Sequence, residues 1–285
     1  MKVVALLPDS LGDFLLTTPS LQSLEKTFNP REIDWIMDDS LMEASMLPAL
    51  KANRIPLSKF KKQNYQGADY IFSFPPATRY HLLAYRLGGK RRIGYVHQKM
   101  FIPRWVSRFC LTDRWICPSG SNIHELEAYG KLLELAGIAF HPEFPPATLP
   151  EIEKTDSIGI HLNSRWIQNP LNSLRSFLEG RSIVVFAAGD FVQQADRWIA
   201  ESRLPKVIFP GVLSLTEFAN KIQALSSFIG VDGGPVHLAA FLKIPAIVFY
   251  PAEQFEYRVR EWHPWGVQYR AFPLSDKGLR EAFAS

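Results

Sequence analysis

Long apolar runs are missing from this sequence. No stretch of its 285 residues reaches the roughly 18 uninterrupted apolar positions that a membrane-spanning helix needs, so the body of the chain is expected to be soluble. The run behind Lys2 covers residues 3–7 and stops at Pro8 and Asp9. It is shorter than a signal-peptide core and reads as a buried first strand. Cysteine is scarce too. Cys110 and Cys117 could pair by spacing, but a chain of this size needs no disulfide and no metal-ligand cluster surrounds them, so reduced thiols in the cytoplasm are expected. Several catalytic signatures are absent as well. No Gly-x-Gly-x-x-Gly follows the first strand of either half, and no Gly-x-x-x-x-Gly-Lys-Ser/Thr occurs, which argues against a dinucleotide enzyme and a P-loop. The lack of Gly-x-Ser-x-Gly removes the α/β-hydrolase reading.

What remains is a globular composition, 47% apolar and 21% charged, with length for two medium domains. Apolar runs at 3–7, 33–37 and 70–74 alternate with helical patterns at 21–28 and 125–136, which implies a parallel sheet with crossover helices. The pattern restarts after the proline-rich stretch 142–150, with strand candidates at 157–162, 182–187, 207–209, 226–231 and 246–250. Two α/β domains joined near 140–156 follow. The net charge of +4 lies wholly in residues 1–150, which carry eighteen Lys and Arg against fourteen Asp and Glu. Within them, 79–114 holds nine basic residues against Asp113 alone, a segment that expects an anionic partner.

In open α/β sheets ligands bind beyond the carboxyl ends of strands, and three loops there draw attention. Ser10-Leu11-Gly12-Asp13 follows the first strand and opens a helical stretch that Pro19 should kink or restart. Read locally, Asp13 is either an acid satisfying free helix amides or a catalytic carboxylate. The helix N-terminus lowers its pKa, and burial would have to offset that for it to act as a base. The second loop, Gly230-Val231-Asp232-Gly233-Gly234-Pro235, leads into an apolar helix bearing His237. It suits either a tight strand-to-helix turn or a diphosphate cradle of backbone amides, with His237 as a packing residue or an anion contact. The third, Ala187-Ala188-Gly189-Asp190, could line a nucleotide's base or ribose.

Together these loops resemble glycosyltransferase family 9, the lipopolysaccharide heptosyltransferases, over most of the chain. Ser10-Leu11-Gly12-Asp13 with residues 17–21 is similar to the family's opening Ser-Leu-Gly-Asp, helix and Leu-Pro-Ala-Leu, and Ile33-Asp34-Trp35-Ile36 to its second strand. Lys90-Arg91-Arg92-Ile93-Gly94-Tyr95 is similar to its Arg-Ile-Gly-Phe/Tyr segment, and residues 124–137 resemble its His-x-x-x-x-Tyr helix. Residues 232–240 are close to its Asp-Thr-Gly-x-x-His-Leu-Ala-Ala donor loop.

The resemblance implies a GT-B fold: Rossmann-like domains at 1–150 and 151–285 facing across a cleft, with the last helix able to pack back on the first. It implies an inverting, metal-independent transfer of a heptose-like sugar from an ADP-sugar, ADP-heptose, to a lipopolysaccharide core or related glycolipid, with no bound cofactor. Asp13 takes the general-base position. Arg165, Ala188, Gly189, Asp232, Gly233, Gly234, Pro235 and His237 are expected at the donor, and Ser10, Gly12, Arg91 and Arg92 at the acceptor. Asp38-Asp39 lacks the Asp-x-Asp spacing of metal-binding sugar transferases.

Two departures stand out. The family usually carries a basic residue just before Trp-Pro, whereas residues 163–170 read Asn-Ser-Arg-Trp-Ile-Gln-Asn-Pro, with Arg165, or more weakly Arg175, as the substitute, and the Gly-Pro-Thr-Asp/Ser loop reads Tyr250-Pro251-Ala252-Glu253-Gln254. Residues 99–109 mix cations with large apolar side chains as membrane-surface segments do, against an alternative of aromatics packed inward, with Pro103 expected to interrupt any helix. Competing readings are a family member using another nucleotide sugar and a non-catalytic relative that binds anionic glycan or membrane. Nucleic acid is not expected, because no module for it accompanies the charge. The expected location is the cytoplasm, at the inner face of its membrane.

Overall fold

The first apolar run forms β1 (Val3–Leu6), buried at all four residues, and it lies at the middle of a six-stranded parallel sheet. A computed structural model describes residues 1–282, divided into one unit spanning Met1–Thr148 and another from Leu149 onward. In the first unit α1 (Leu11–Thr27), β2 (Ile33–Met37), β3 (Asn53–Pro56), β4 (Tyr70–Ser73), α2 (Thr78–Leu87), β5 (Arg91–His97), α3 (Phe101–Cys110), β6 (Asp113–Cys117) and α4 (Glu125–Leu135) follow in order. The strands pair as β3-β2-β1-β4-β5-β6. Cys110 and Cys117 are buried and not joined by a disulfide.

The second unit repeats the plan with β7 (Ile158–His161), α5 (Pro170–Ser173), α6 (Arg175–Leu178), β8 (Ile183–Phe186), α7 (Val192–Ser202), β9 (Val207–Ile208), α8 (Leu215–Gln223), β10 (Ser227–Val231), α9 (Gly234–Phe241), β11 (Ala246–Pro251), α10 (Phe255–Trp262), β12 (Tyr269–Leu274) and α11 (Asp276–Glu281). Its order, β12-β11-β10-β7-β8-β9, is the same doubly wound arrangement. In each sheet the chain reverses direction of winding beside the first strand, between β1 and β4 and between β7 and β10. The last helix, α11, packs on β12 and α5 within its own unit.

Both prolines expected to break helices are accommodated. Pro19 lies inside an unbroken α1. Lacking an N–H, it cannot serve the Leu15 carbonyl, and the Thr18 hydroxyl donates to that oxygen instead at 2.7 Å. Pro103 is the third residue of α3, where the N–H would have no intrahelical acceptor, so the expected interruption does not occur.

The connection between the units is tied down on each side. Thr148 donates from its N–H to the Leu47 carbonyl at 2.7 Å and from Oγ1 to that of Met46 at 2.6 Å. Beyond Leu149, the Pro150 carbonyl accepts from Gln223 Nε2 at 3.1 Å, and the Thr155 N–H donates to the Ala224 carbonyl at 2.7 Å.

Candidate active site

Ser10, Gly12 and Asp13 in the first unit, and Arg165 and residues 232–237 in the second, lie where the winding reverses. In the first, Ser10 caps α1 and its hydroxyl accepts from the Asp13 N–H at 3.2 Å, with Gly12 buried beneath and Asp13 partly exposed in the first turn. α1 packs along α4, whose own first turn begins with the buried Glu125. Tyr95 on β5 donates its hydroxyl to Glu125 Oε1, and its ring meets that of Tyr129 edge-on at 6.0 Å. Burial first, then the charge of Glu125 and, further down the order, that of Asp13 push both tyrosine hydroxyls well up, so they remain protonated donors facing the two acids. Arg79, at the start of α2, pairs with Asp9 at the same edge.

Arg91 and Arg92 are not brought to this place. Both stand at the amino end of β5, where Arg91 holds Asp113 at 2.7 Å and the Leu135 carbonyl at 2.7 Å, and Arg92 reaches the carbonyls of Cys110 and Gly89. They tie strands and helix ends together.

In the second unit the loop from β10 to α9 is gripped by two guanidiniums. Arg165, from the loop after β7, donates through Nη1 to the Asp232 carbonyl. Arg258, on α10, sets Nη2 3.0 Å from Asp232 Oδ2, close enough for an ion pair but outside hydrogen-bond alignment. Gly233 caps α9 at φ 156°, and a Cβ there would lie 3.2 Å from Arg165 Nη1, so glycine is needed both for the backbone conformation and for the approach. Pro235 fits the first turn, where no N–H is required. Burial raises the carboxyl pKa of Asp232 while Arg258 and Arg165 pull it back.

His237, 3% exposed, has no partner for Nδ1, and burial, with Arg258 and His263 adding, lowers its pKa to about 4. It is therefore neutral near pH 7 and can offer a hydrogen bond but no charge. Asp232 Oδ2, Arg258 Nε and His237 Nδ1 are all buried without hydrogen-bond partners around one helix N-terminus. Buried polar groups gathered in this way call for a hydrogen-bonding partner, which water or a ligand can supply.

Beside this loop, Ala188 joins His161, Phe186, Ser214, Leu215 and Phe218 around a cavity of about 200 Å³, and Gly189 turns the adjacent chain at φ 59°. Its walls are aromatic, with Phe186 and Phe218 5.0 Å apart edge-on, and the Trp166 indole N–H holds the His161 carbonyl at 2.9 Å. A flat heterocycle fits such a slot. A larger cavity of about 610 Å³ opens at the opposite, amino end of β10–β12 beside Ala246 and Tyr269, with none of the candidate residues. Among the described residues no three His, Cys, Asp or Glu side chains are grouped to hold a metal ion, and no helix is long and apolar enough to cross a membrane.

Comparison with known proteins bears on this geometry directly. Residues 175–280 match the model of glycosyltransferase family 9 (heptosyltransferase). That match lies wholly within the second unit. No curated protein matches the chain by sequence, but solved structures share its fold. The E. coli heptosyltransferase WaaC with ADP has a TM-score of 0.74 at 18% identity, covering 99% of this chain and 97% of its own. The E. coli ADP-heptose lps heptosyltransferase II has 0.74 at 15%, covering 99% and 96%. A family 9 glycosyltransferase from Veillonella parvula has 0.73 at 17%, covering 95% and 85%. The fold is thus the GT-B type, two Rossmann-like α/β units. Against the family 9 pattern, Arg165 occupies the expected loop, whereas Arg258 was not legible in the sequence.

Proposed function

We propose that the chain is an inverting, metal-independent glycosyltransferase moving a heptose-like sugar from an ADP-sugar, ADP-heptose, to a lipopolysaccharide-core or related glycolipid acceptor at the inner face of the cytoplasmic membrane. The observation that carries the donor half of this reading is the group of buried polar atoms at the start of α9, Asp232 Oδ2, His237 Nδ1 and Arg258 Nε, that make no hydrogen bond, with Arg165 beside them and an aromatic cavity in the same unit. A nucleoside diphosphate answers all three, with its base in the cavity, phosphates on the Gly233 and Gly234 amides and the helix dipole, and the guanidiniums taking up leaving-group charge. WaaC with ADP and the ADP-heptose transferase, which share the fold, point to the same donor class.

In this reading the acceptor hydroxyl gives its proton to the Asp13 carboxylate as its oxygen attacks the anomeric carbon, and the diphosphate leaves with the electrons of the broken bond. Ser10 and Gly12 shape the acceptor side, while Arg91 and Arg92 are assigned to holding the sheet. Calorimetric titration with ADP, UDP and GDP, paired with turnover of Asp13→Ala, tests the whole. ADP should bind best, and the variant should keep ADP affinity while losing on the order of 10²- to 10⁴-fold in kcat. EDTA should leave turnover unchanged. Near-normal turnover of the variant would overturn the base assignment.

A further inference from the structure

α3 is amphipathic in the inverted sense. Its core-facing positions carry the small residues Ser107 and Cys110, 0% and 3% exposed, while Phe101, Ile102, Trp105 and Phe109 are 70%, 66%, 56% and 61% exposed. Those four recur at helical spacing along one face, and Trp105 and Phe109 rest edge-on at 5.1 Å. On α2, which packs against α3, Tyr85 adds another ring at 55% exposure. Soluble surfaces seldom leave so many large apolar groups contiguous without a partner.

The charges around the patch identify that partner. The segment's one acid, Asp113, is taken by Arg91. Arg86, Arg104, Arg108 and Arg114 have no acidic partner among the described residues. A second copy of the chain would bring the same unpaired cations to a symmetric contact, which repulsion disfavours. Phosphate headgroups over acyl chains match both chemistries at once.

We propose that α3 lies flat in the surface of an anionic bilayer, with Phe101, Ile102, Trp105 and Phe109 in the acyl boundary and Arg104 and Arg108 at the lipid phosphates. The inference deepens the proposed function, resting on it only in that the acceptor is a lipid. Vesicle binding is measured without any sugar transfer, so either can fail alone.

The full-length protein is sedimented with phosphatidylcholine vesicles and with vesicles containing phosphatidylglycerol, in low and high salt. It is compared with the Phe101→Ser/Trp105→Ser/Phe109→Ser variant and the Arg104→Glu/Arg108→Glu variant, each checked for folding by circular dichroism. Wild type should pellet with the anionic vesicles and be released by salt, and each variant should bind about tenfold more weakly or less. Equal pelleting of wild type and the apolar variant would overturn the proposal. So would wild type that ignores anionic vesicles, or a dimer in sedimentation velocity that the apolar variant abolishes.

Discussion

At the scale of single residues, two guanidiniums meet at the loop between β10 and α9. Arg165 holds the backbone of Asp232 and Arg258 faces its carboxylate, so the loop is bracketed by cations before any ligand arrives. Arg258→Gln should weaken ADP by roughly tenfold or more, a charge-assisted contact being worth about 1.5–3 kcal/mol. Calorimetry checks this, and an unchanged Kd would reduce Arg258 to a counter-ion for Asp232. Arg165 is legible from its motif position, whereas Arg258 belongs to no motif. Only the packing of α10 on β11 brings Arg258 to face Asp232. Asp13 posed the opposite case. Its place at a helix start was plain in the sequence, whereas the protonated Tyr95 and Tyr129 and the buried Glu125 beside it come from β5 and α4, far away in the chain.

At the scale of elements, strands with apolar runs were readable, the short edge strand β9 among them, and the other edge strands were not. β2 coincides with residues 33–37, while β3, β6 and β12 were missed. Each is an edge strand whose sequence is interrupted by polar or proline residues, as in Asn53, Arg54 and Pro56. β5 was seen only as a basic motif because Arg91 and Arg92 open it. Rules for proline in helices also misled at α1, where the Thr18 hydroxyl answers the Leu15 carbonyl. Thr18→Val keeps the side-chain shape but leaves that buried acceptor without its donor, which should cost about 1–3 kcal/mol in urea unfolding. No loss would mean that the carbonyl finds another donor.

For the whole molecule, the repeated strand order gives the three candidate loops their places: those after β1 and β10 flank a reversal of winding, and that after β8 lies one strand away from one. Strand order itself is invisible in sequence, since it depends on which non-adjacent strands pair. Burial is also distributed over both units in a way that predicts a pH response. His81 in the first, and His161 and His237 in the second, have pKa values lowered to about 4, with burial the largest cause in each. A folded pKa below the unfolded value of about 6.5 means the unfolded chain binds more protons between the two. Stability should therefore fall as pH drops from about 6.5 to about 4, each histidine contributing on the order of a few kcal/mol. Asp232, raised by burial, acts with the opposite sign just above the usual carboxylate range, one group against three. Melting temperatures across this interval test the sign, and a flat profile would contradict the buried neutral histidines.

The stapled connection around Leu149 has a consequence for handling the protein. A protease must draw several residues of extended backbone into its cleft, yet here Thr148 is fastened on one side and Pro150 and Thr155 on the other. The link between the halves, the place where a two-domain chain is ordinarily nicked, should therefore be cut slowly beside Thr148 and Pro150.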